Sequence, residues 1–250
     1  MQTVLHRLGM RPWLALGLVG WLGGSMAPAQ ALPEAEVVDT LSNIPVFVMA
    51  TPEGGYITNR LVREAEADQP RQEVALLNVF FSGDDAEEFL RQAQAENQSL
   101  ADTAVVGWTE LSALYQQAQQ AADIPLRLLF VPQVEEVAAA VEEDADYAGG
   151  VPLFIPKFSA DDSYVLLPIG NLNDGEPVVP VFFSQTDING ALEALNEQDP
   201  ALRSQIEVDV VSLEGLIDQI RNTDDTNLTR LQLLPDSEAI NYITESQSDS

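Results

Sequence analysis

Apolar residues form two nearly unbroken runs that predict buried β-strands. The runs cover residues 76–81 and 178–183 and contain almost only aliphatic and aromatic side chains. Such runs are typical of strands that are covered on both faces. Before the first run, residues 45–50 and 56–58 predict a hairpin around a turn at 52–55. Before the second run, residues 152–158 and 164–167 predict its counterpart.

Helices are predicted directly after both runs. Ser82 and Ser184 each stand three positions before an aspartate, which is the pattern of a capped helix start with a carboxylate near the positive end of the helix. Apolar residues then recur at helical spacing. They are Ala86, Phe89, Leu90 and Ala93 in the first helix and Ile188, Ala191, Leu192 and Leu195 in the second. Alternating strands and helices indicate an α/β layered architecture.

The two series of elements are copies of one unit. Val79-Phe80-Phe81-Ser82 returns 102 positions later as Val181-Phe182-Phe183-Ser184, and the register holds without a gap for more than thirty residues. We therefore predict an α/β protein of two pseudo-symmetric repeated halves, each a small sheet covered by helices. The predicted halves are residues 32–148 and 149–244, and residues 245–250 are expected to form a disordered tail.

The first 31 residues have the pattern of a secretory signal peptide. Basic residues precede an apolar run over residues 12–22, and Ala29-Gln30-Ala31 supplies the small residues of a cleavage site. The alternative is a membrane anchor, but the run is shorter than the roughly 18 apolar residues that a spanning helix needs. We expect cleavage after Ala31 and no direct membrane insertion.

Acidic residues dominate the charge, with 40 Asp and Glu against 11 Lys and Arg and a formal net charge of −29. Cleavage would remove two basic and no acidic residues, which leaves nine against forty and a formal charge of −31. Such a chain is unsuited to nucleic acid, because phosphate binding depends on clustered basic side chains. It is also expected to stay soluble and to be repelled by anionic lipid.

The residue inventory argues against an enzyme. The chain has no cysteine, and its only histidine, His6, lies in the predicted signal peptide, so thiolate and imidazole chemistry are excluded from the mature chain. Lys157 with Ser159 or Ser163 is conceivable as a catalytic pair, but Asp161 and Asp162 favour a charged, salt-bridged surface lysine. Residues 171–176 resemble a calcium loop only superficially and predict a turn. We expect no catalytic residues, no metal site and no cofactor.

Aromatic residues concentrate on the predicted strands and have two interpretations. Most of them, Trp108 and Phe130 included, are expected to fill the core between sheet and helices. Alternatively, one member of each adjacent pair faces the opposite side of its strand and lines an exposed apolar groove that binds clients. The groove candidates are Phe47, Phe80, Phe81, Phe154, Phe182 and Phe183.

These features together resemble the Tic22 family of cyanobacterial proteins and their plastid relatives. The signal peptide, the repeated Val-Phe-Phe-Ser segments followed by acidic helices, and the Gly150-Val151-Pro152-Leu153-Phe154 start of the second half carry the resemblance. It implies an exported chaperone that accompanies unfolded or precursor proteins, especially outer-membrane β-barrel precursors, to Omp85-type machinery. The implied compartment is the periplasm or the thylakoid lumen.

Two other functions remain open at the level of sequence. A small-ligand or peptide-binding module of the cell envelope would place its site between the two halves. A hydrolase would need two carboxylates held about 5–9 Å apart in one cleft, and the sequence shows only that carboxylates are abundant.

Overall fold

The computed structural model describes residues 7–8, 34–63, 72–101, 103–121, 123–161, 163–167, 176–222, 228 and 230–248. Most of the predicted signal peptide and of the predicted turn at 171–176 therefore lies outside the described residues. The described part of the chain contains both strands and helices in alternation, which confirms the α/β class. It contains no helix with the length and apolar character needed to cross a membrane.

The strands are β1 (Arg7–Leu8), β2 (Pro45–Ala50), β3 (Asn59–Arg63), β4 (Gln72–Phe80), β5 (Val105–Glu110), β6 (Leu126–Val131), β7 (Pro152–Phe158), β8 (Tyr164–Val165), β9 (Val179–Phe182), β10 (Ile206–Ser212) and β11 (Leu231–Leu234). The helices are α1 (Glu34–Thr40), α2 (Gly83–Glu96), α3 (Leu111–Gln120), α4 (Val134–Glu143), α5 (Gln185–Gln198), α6 (Pro200–Arg203), α7 (Leu213–Asn222) and α8 (Ser237–Ser248). A single 3₁₀ turn follows α2 at Gln98–Leu100.

The chain divides into two compact units. The first, which we call the N-half unit, comprises Leu41–Ala138, Gly149–Val151 and Pro235–Ser250. The second, the C-half unit, comprises Met1–Thr40, Ala139–Ala148 and Pro152–Leu234. Each unit contains one sheet.

The sheet of the N-half unit is built around β4. This strand pairs in parallel with β6 and antiparallel with β3 and β2, and β2 in turn pairs antiparallel with β5. The pairing of β2 with β4 sets Phe47 opposite Phe80. Helices α2 and α8 pack near β2 on one face, and α3 packs against β6.

The sheet of the C-half unit is built around β7. This strand pairs antiparallel with β10 along its whole length and antiparallel with β8 and β9, and β9 pairs in parallel with β11. Phe154 lies opposite Phe182, as Phe47 lies opposite Phe80 in the other unit. The strand order β11-β9-β7-β10 therefore repeats the order β6-β4-β2-β5. Strand β1 adds to β8 at the edge of this sheet.

The compact units do not follow the predicted halves at their ends. The sequence division placed residues 139–148 in the first half, but the structure places them in the C-half unit. Conversely, α8 comes from the second half of the chain and belongs to the N-half unit. The cause is packing: Ala139 and Ala140 are buried in the core of the C-half unit, and Ala239 of α8 is buried in that of the N-half unit.

Both predicted helix caps are present. Ser82 Oγ accepts a hydrogen bond from Asp85 N at 3.2 Å, and Ser184 Oγ accepts from Thr186 N at 3.1 Å and from Asp187 N at 3.4 Å. These bonds satisfy backbone donors that a helix leaves free in its first turn. The repeated Ser-x-x-Asp pattern thus fixes the same helix start in both units.

Two local predictions differ from the structure. Residues 56–58 form no strand: Tyr56 makes an isolated bridge to Ala50, and the next strand is β3 at Asn59–Arg63. The predicted tail is helical as far as Ser248, because Tyr242 and Ile243 anchor α8 and the Thr244 and Ser246 hydroxyls bond back to carbonyls four residues earlier.

Candidate functional site

All six predicted groove residues are buried. Phe47, Phe80, Phe81, Phe154, Phe182 and Phe183 expose at most 7% of their surface. The prediction that they line an exposed groove is not met in this structure. Phe47 and Phe80 lie in one buried cluster, and Phe154 and Phe182 lie in another.

The N-half cluster is the core beneath α2 and α8. Its members are Phe47, Phe80, Ala86, Phe89, Val106, Val131, Ala239, Tyr242 and Ile243. The rings of Phe80 and Phe89 lie 5.2 Å apart, and Tyr242 meets Phe47 edge-on at 5.1 Å. Phe81 points to the other side, where its ring lies 6.0 Å from that of Phe130. The two members of the Phe80/Phe81 pair therefore do face opposite sides, as predicted, but both sides are covered.

The C-half cluster is the corresponding core of the other unit. Phe154, Phe158 and Phe182 lie at its centre, with Ile188 and Leu192 of α5 above them. Ala139 and Ala140 at the end of α4 close it, and Tyr147 packs against it. Helix α4, which follows β6, thus covers part of the C-half cluster, and helix α8, which follows β11, covers the N-half cluster.

The aromatic ring of Tyr242 packs helix α8 against the N-half cluster. Atoms of the Tyr242 ring lie about 2.5 Å from where a Cβ on Gly83 would be, so only glycine leaves room for the ring at this position. The Tyr242 hydroxyl donates a hydrogen bond of 2.5 Å to Glu87 Oε1. Burial and the Glu87 carboxylate together raise the pKa of Tyr242 far above its usual range. Tyr242 therefore remains a neutral donor.

Several carboxylates lie close together at the start of α2, next to the contact between α2 and α8. Burial raises the pKa of Asp85, and the charges of Glu135, Asp84 and Glu238 raise it further. Glu238 belongs to α8, and α8 contains no lysine or arginine that could neutralise these carboxylates. The apolar contact between α8 and the N-half cluster is therefore bordered by carboxylates that repel one another.

An open apolar face continues from the N-half cluster along β3, β4 and β6. Its apolar members are Leu61, Val74, Leu76 and Leu129, and the polar residues Asn78 and Arg127 lie among them. A groove of about 160 Å³ is lined by Leu61, Gln72, Val74, Leu76 and Arg127. Leu61 is 60% exposed. Side chains alternate between the two sides of β6, so Arg127 and Leu129 lie on the same side of the sheet as Val131. Val131 is part of the N-half cluster. Helix α8 thus covers only one end of a longer face.

Exposed apolar residues were the feature that sequence reasoning missed. Besides Leu61, Trp108 is 51% exposed on β5 and Val134 is 80% exposed at the start of α4. Trp108 was expected to be core because it lies in an apolar strand. Strand β3 itself was missed, because Asn59-Arg60-Leu61-Val62-Arg63 is flanked by charge and has no clear alternation.

Comparison with known proteins decides the family. A family model described as the Tic22-like family matches residues 15–245. The chain belongs to the Tic22-like family. Among curated proteins, none matches it.

Two solved Tic22 structures share the fold. Tic22 from Anabaena, described as a protein of protein transport, superposes with a TM-score of 0.71 at 23% identity, covering 86% of this chain and 97% of that one. Tic22 from Plasmodium falciparum superposes with a TM-score of 0.62 at 14% identity, covering 86% of this chain and 98% of that one. At these identities the likeness concerns the fold.

In this Tic22-like chain, Lys157 belongs to a structural ion-pair network. Its Nζ lies 3.3 Å from Glu207 Oε1 and 3.3 Å from Asp209 Oδ1, and Tyr164 donates to the second oxygen of Asp209 at 2.8 Å. Burial lowers the pKa of Lys157, but Asp209 and Glu207 outweigh it and raise the pKa above its usual value. A salt-bridged surface lysine was predicted, with Asp161 and Asp162 as its charged neighbours; the structure pairs Lys157 with Glu207 and Asp209, and its side chain is only 18% exposed.

Both serines that were considered as partners of this lysine donate their hydroxyl protons to other groups. The Ser163 hydroxyl donates to Asp161 at 2.7 Å, and the Ser159 hydroxyl donates to the Gln205 carbonyl at 3.2 Å. Within the described residues, no group of three or more acidic or histidine side chains is arranged to hold a metal ion.

Proposed function

We propose that this protein is an exported chaperone that binds unfolded or precursor proteins and assists their transport, and that it is not an enzyme. The open apolar face on β3, β4 and β6 carries the proposal, because it exposes leucine side chains on a chain whose net charge is otherwise strongly negative. A holdase needs this combination: accessible apolar surface holds the client, and charge keeps the complex dissolved.

Family membership supports the transport role. The Anabaena relative is described as a protein of protein transport, and the fold is shared over most of both chains. We propose outer-membrane β-barrel precursors as clients and Omp85-type machinery as the receiving partner. We propose the periplasm as the compartment, with the thylakoid lumen as a second location, because the first 31 residues have the pattern of a signal peptide.

The test is to dilute a denatured outer-membrane barrel protein into buffer with and without the purified mature chain and to follow light scattering. We expect aggregation to fall as the chaperone is added. A double variant, Leu61→Ser with Leu129→Ser, should lose most of this effect, whereas Val141→Ser, which changes an exposed aliphatic residue of α4, should keep it.

These substitutions lie at exposed positions, so they are expected to change stability by no more than about 0.5 kcal/mol each. Circular dichroism of each variant controls for folding. Unchanged aggregation with the wild-type chain would contradict the proposal, and so would equal protection by the double variant. Photocrosslinking from position 61 in cells would then identify whether an Omp85-type protein is captured.

A further inference from the structure

Helix α8 holds its place through few side chains. Of its twelve residues only Ala239 is buried, and only Tyr242 and Ile243 are partly buried. Helix α7, by comparison, buries Leu213, Leu216, Ile217 and Ile220 in ten residues. A helix of this length is marginal without its contacts, so α8 exists as a helix only while it is docked.

Release of α8 would uncover an apolar surface next to the open face. On β4 the same side carries Val74, Leu76, the polar Asn78 and then Phe80, and on β6 it carries Arg127, Leu129 and then Val131, so the two surfaces meet through Leu129 and Val131. With α8 displaced, Phe47 and Phe89 would join this face. The exposed groove would thereby extend over the aromatic cluster.

We propose that the surface beneath α8 is a binding site for a basic amphipathic segment of a client protein and that α8 is its internal occupant, which the client displaces. This rests on the proposed function and names the client segment that it recognises. Residues Ala239, Tyr242 and Ile243 define the apolar pattern: a small residue, an aromatic residue three positions later and an aliphatic residue next to it.

The edge of the site selects the charge of the occupant. Asp84, Asp85 and Glu87 of α2 and Glu135 of α4 supply the negative border. Helix α8 adds Glu238 to it, and Glu245 stands three positions after Tyr242, on the same side of α8. A segment with the same apolar pattern and with lysine or arginine at those two positions would replace repulsion by attraction. Such a segment would therefore compete with α8 even though α8 is covalently attached.

A reversible lock on α8 tests the proposal in the full chain. The Tyr242 hydroxyl donates to Glu87, and the Ser246 hydroxyl donates to the Tyr242 carbonyl, so both residues neighbour Tyr242, and the chain has no cysteine of its own. Glu87→Cys with Ser246→Cys, joined by a short reducible bis-maleimide, would tie α8 to α2. As the control, Glu88→Cys with Gln92→Cys links two neighbouring positions within α2, whose native side chains are 2.7 Å apart.

The probes are two fluorescent peptides with the sequence of Ser237–Ser248, one native and one carrying Glu238→Lys and Glu245→Lys. We expect the basic peptide to bind the unlinked protein several-fold more tightly than the native peptide, and the difference to shrink with added salt. The α8 lock should abolish binding, reductant should restore it, and the control link should have no effect. Equal binding to locked and unlinked protein would overturn the proposal, as would equal binding of both peptides.

The same lock separates this proposal from the proposed function. If the locked protein still prevents aggregation of a denatured barrel as well as the unlinked protein does, the chaperone function stands and the α8 site is wrong. If the basic peptide binds in a lock-dependent manner while no barrel precursor is protected, the site stands and the chaperone function is wrong.

Discussion

At the scale of single residues, two tyrosines show how differently a polar group can be buried. Tyr242 donates its hydroxyl proton to Glu87, whereas the buried hydroxyl of Tyr147 has no hydrogen-bond partner in the described structure. Burial and the charge of Glu214 raise the pKa of Tyr147 to about 12. A buried hydroxyl without a partner costs stability, and a bonded one does not.

Removing each hydroxyl should therefore have opposite effects. We expect Tyr147→Phe to leave the free energy of unfolding unchanged or to raise it by about 1 kcal/mol, and Tyr242→Phe to lower it by about 1–2 kcal/mol, because a hydrogen bond to a charged group is lost. Urea denaturation followed by circular dichroism measures both. A clear loss of stability in Tyr147→Phe would show that its hydroxyl has a partner after all.

Two glycines in helices should respond oppositely to alanine. A Cβ at Gly83 would overlap the Tyr242 ring, whereas a Cβ at Gly190, within α5, meets nothing within 4 Å. We expect Gly190→Ala to stabilise by about 0.5–1 kcal/mol through helix propensity, and Gly83→Ala to destabilise the docking of α8. Thermal unfolding measures the first effect, and binding of an apolar-surface dye measures the second.

At the scale of elements, the features that could be predicted were those that short stretches of sequence determine. The Ser82 and Ser184 caps and the strands around Phe47, Phe80, Phe154 and Phe182 follow from short patterns that tertiary packing reinforces. A helix over residues 238–243 also follows from local sequence, but the last turn of α8 does not, because residues 245–248 are polar and their order depends on the packing of Tyr242 against Gly83, far away in the sequence. The burial of Phe47 and Phe80 depends on that same helix, and that of Phe154 and Phe182 depends on the end of α4 and on α5.

Helix α8 should open more readily than other helices. We expect its amide hydrogens to exchange faster than those of α7, because α8 has one fully buried residue and α7 has four. Hydrogen exchange followed by mass spectrometry measures this directly. Equal protection of α8 and α7 would mean that α8 is as firmly held as the core.

The start of α2 should make stability depend on pH. Because the folded-state pKa of Asp85 is raised above the unfolded value, the folded chain binds its proton more readily, and folding gains stability as the pH falls from neutral through that raised pKa. Above the raised pKa the full penalty is present. Asp85→Asn should flatten this dependence, which urea midpoints between about pH 7 and about pH 4 would show.

Asp187→Asn is the matched control, because Asp187 occupies the equivalent position 102 residues later, at the start of α5. Comparing the two variants cancels the general effect of removing one negative charge from a strongly acidic chain. Identical pH profiles of both variants would contradict a specific role for Asp85.

At the scale of the whole molecule, two units share one strand order but each is completed by a distant segment of chain. After the predicted cleavage, Trp108 is the only tryptophan, and it lies in the N-half unit. Its fluorescence therefore reports on that unit alone. Deleting Ser237–Ser248 should lower the urea midpoint of the Trp108 transition, because the N-half cluster loses Ala239, Tyr242 and Ile243.

Circular dichroism, which reports on both units, should then show part of the transition at the original midpoint. An unchanged Trp108 midpoint after removal of α8 would show that the N-half unit is stable without it.

The bond between Tyr242 and Glu87 joins positions 155 residues apart in the sequence. A ribosome delivers a chain from its first residue to its last, so the sheet of the N-half unit is made well before α8 and must wait for it. Until then Phe47 and Phe80 are exposed on a nascent chain, and long loop closure makes the final step slow. A protein proposed to shelter unfinished chains thus passes through the same unfinished state, with the same aromatic surface uncovered, each time it is made.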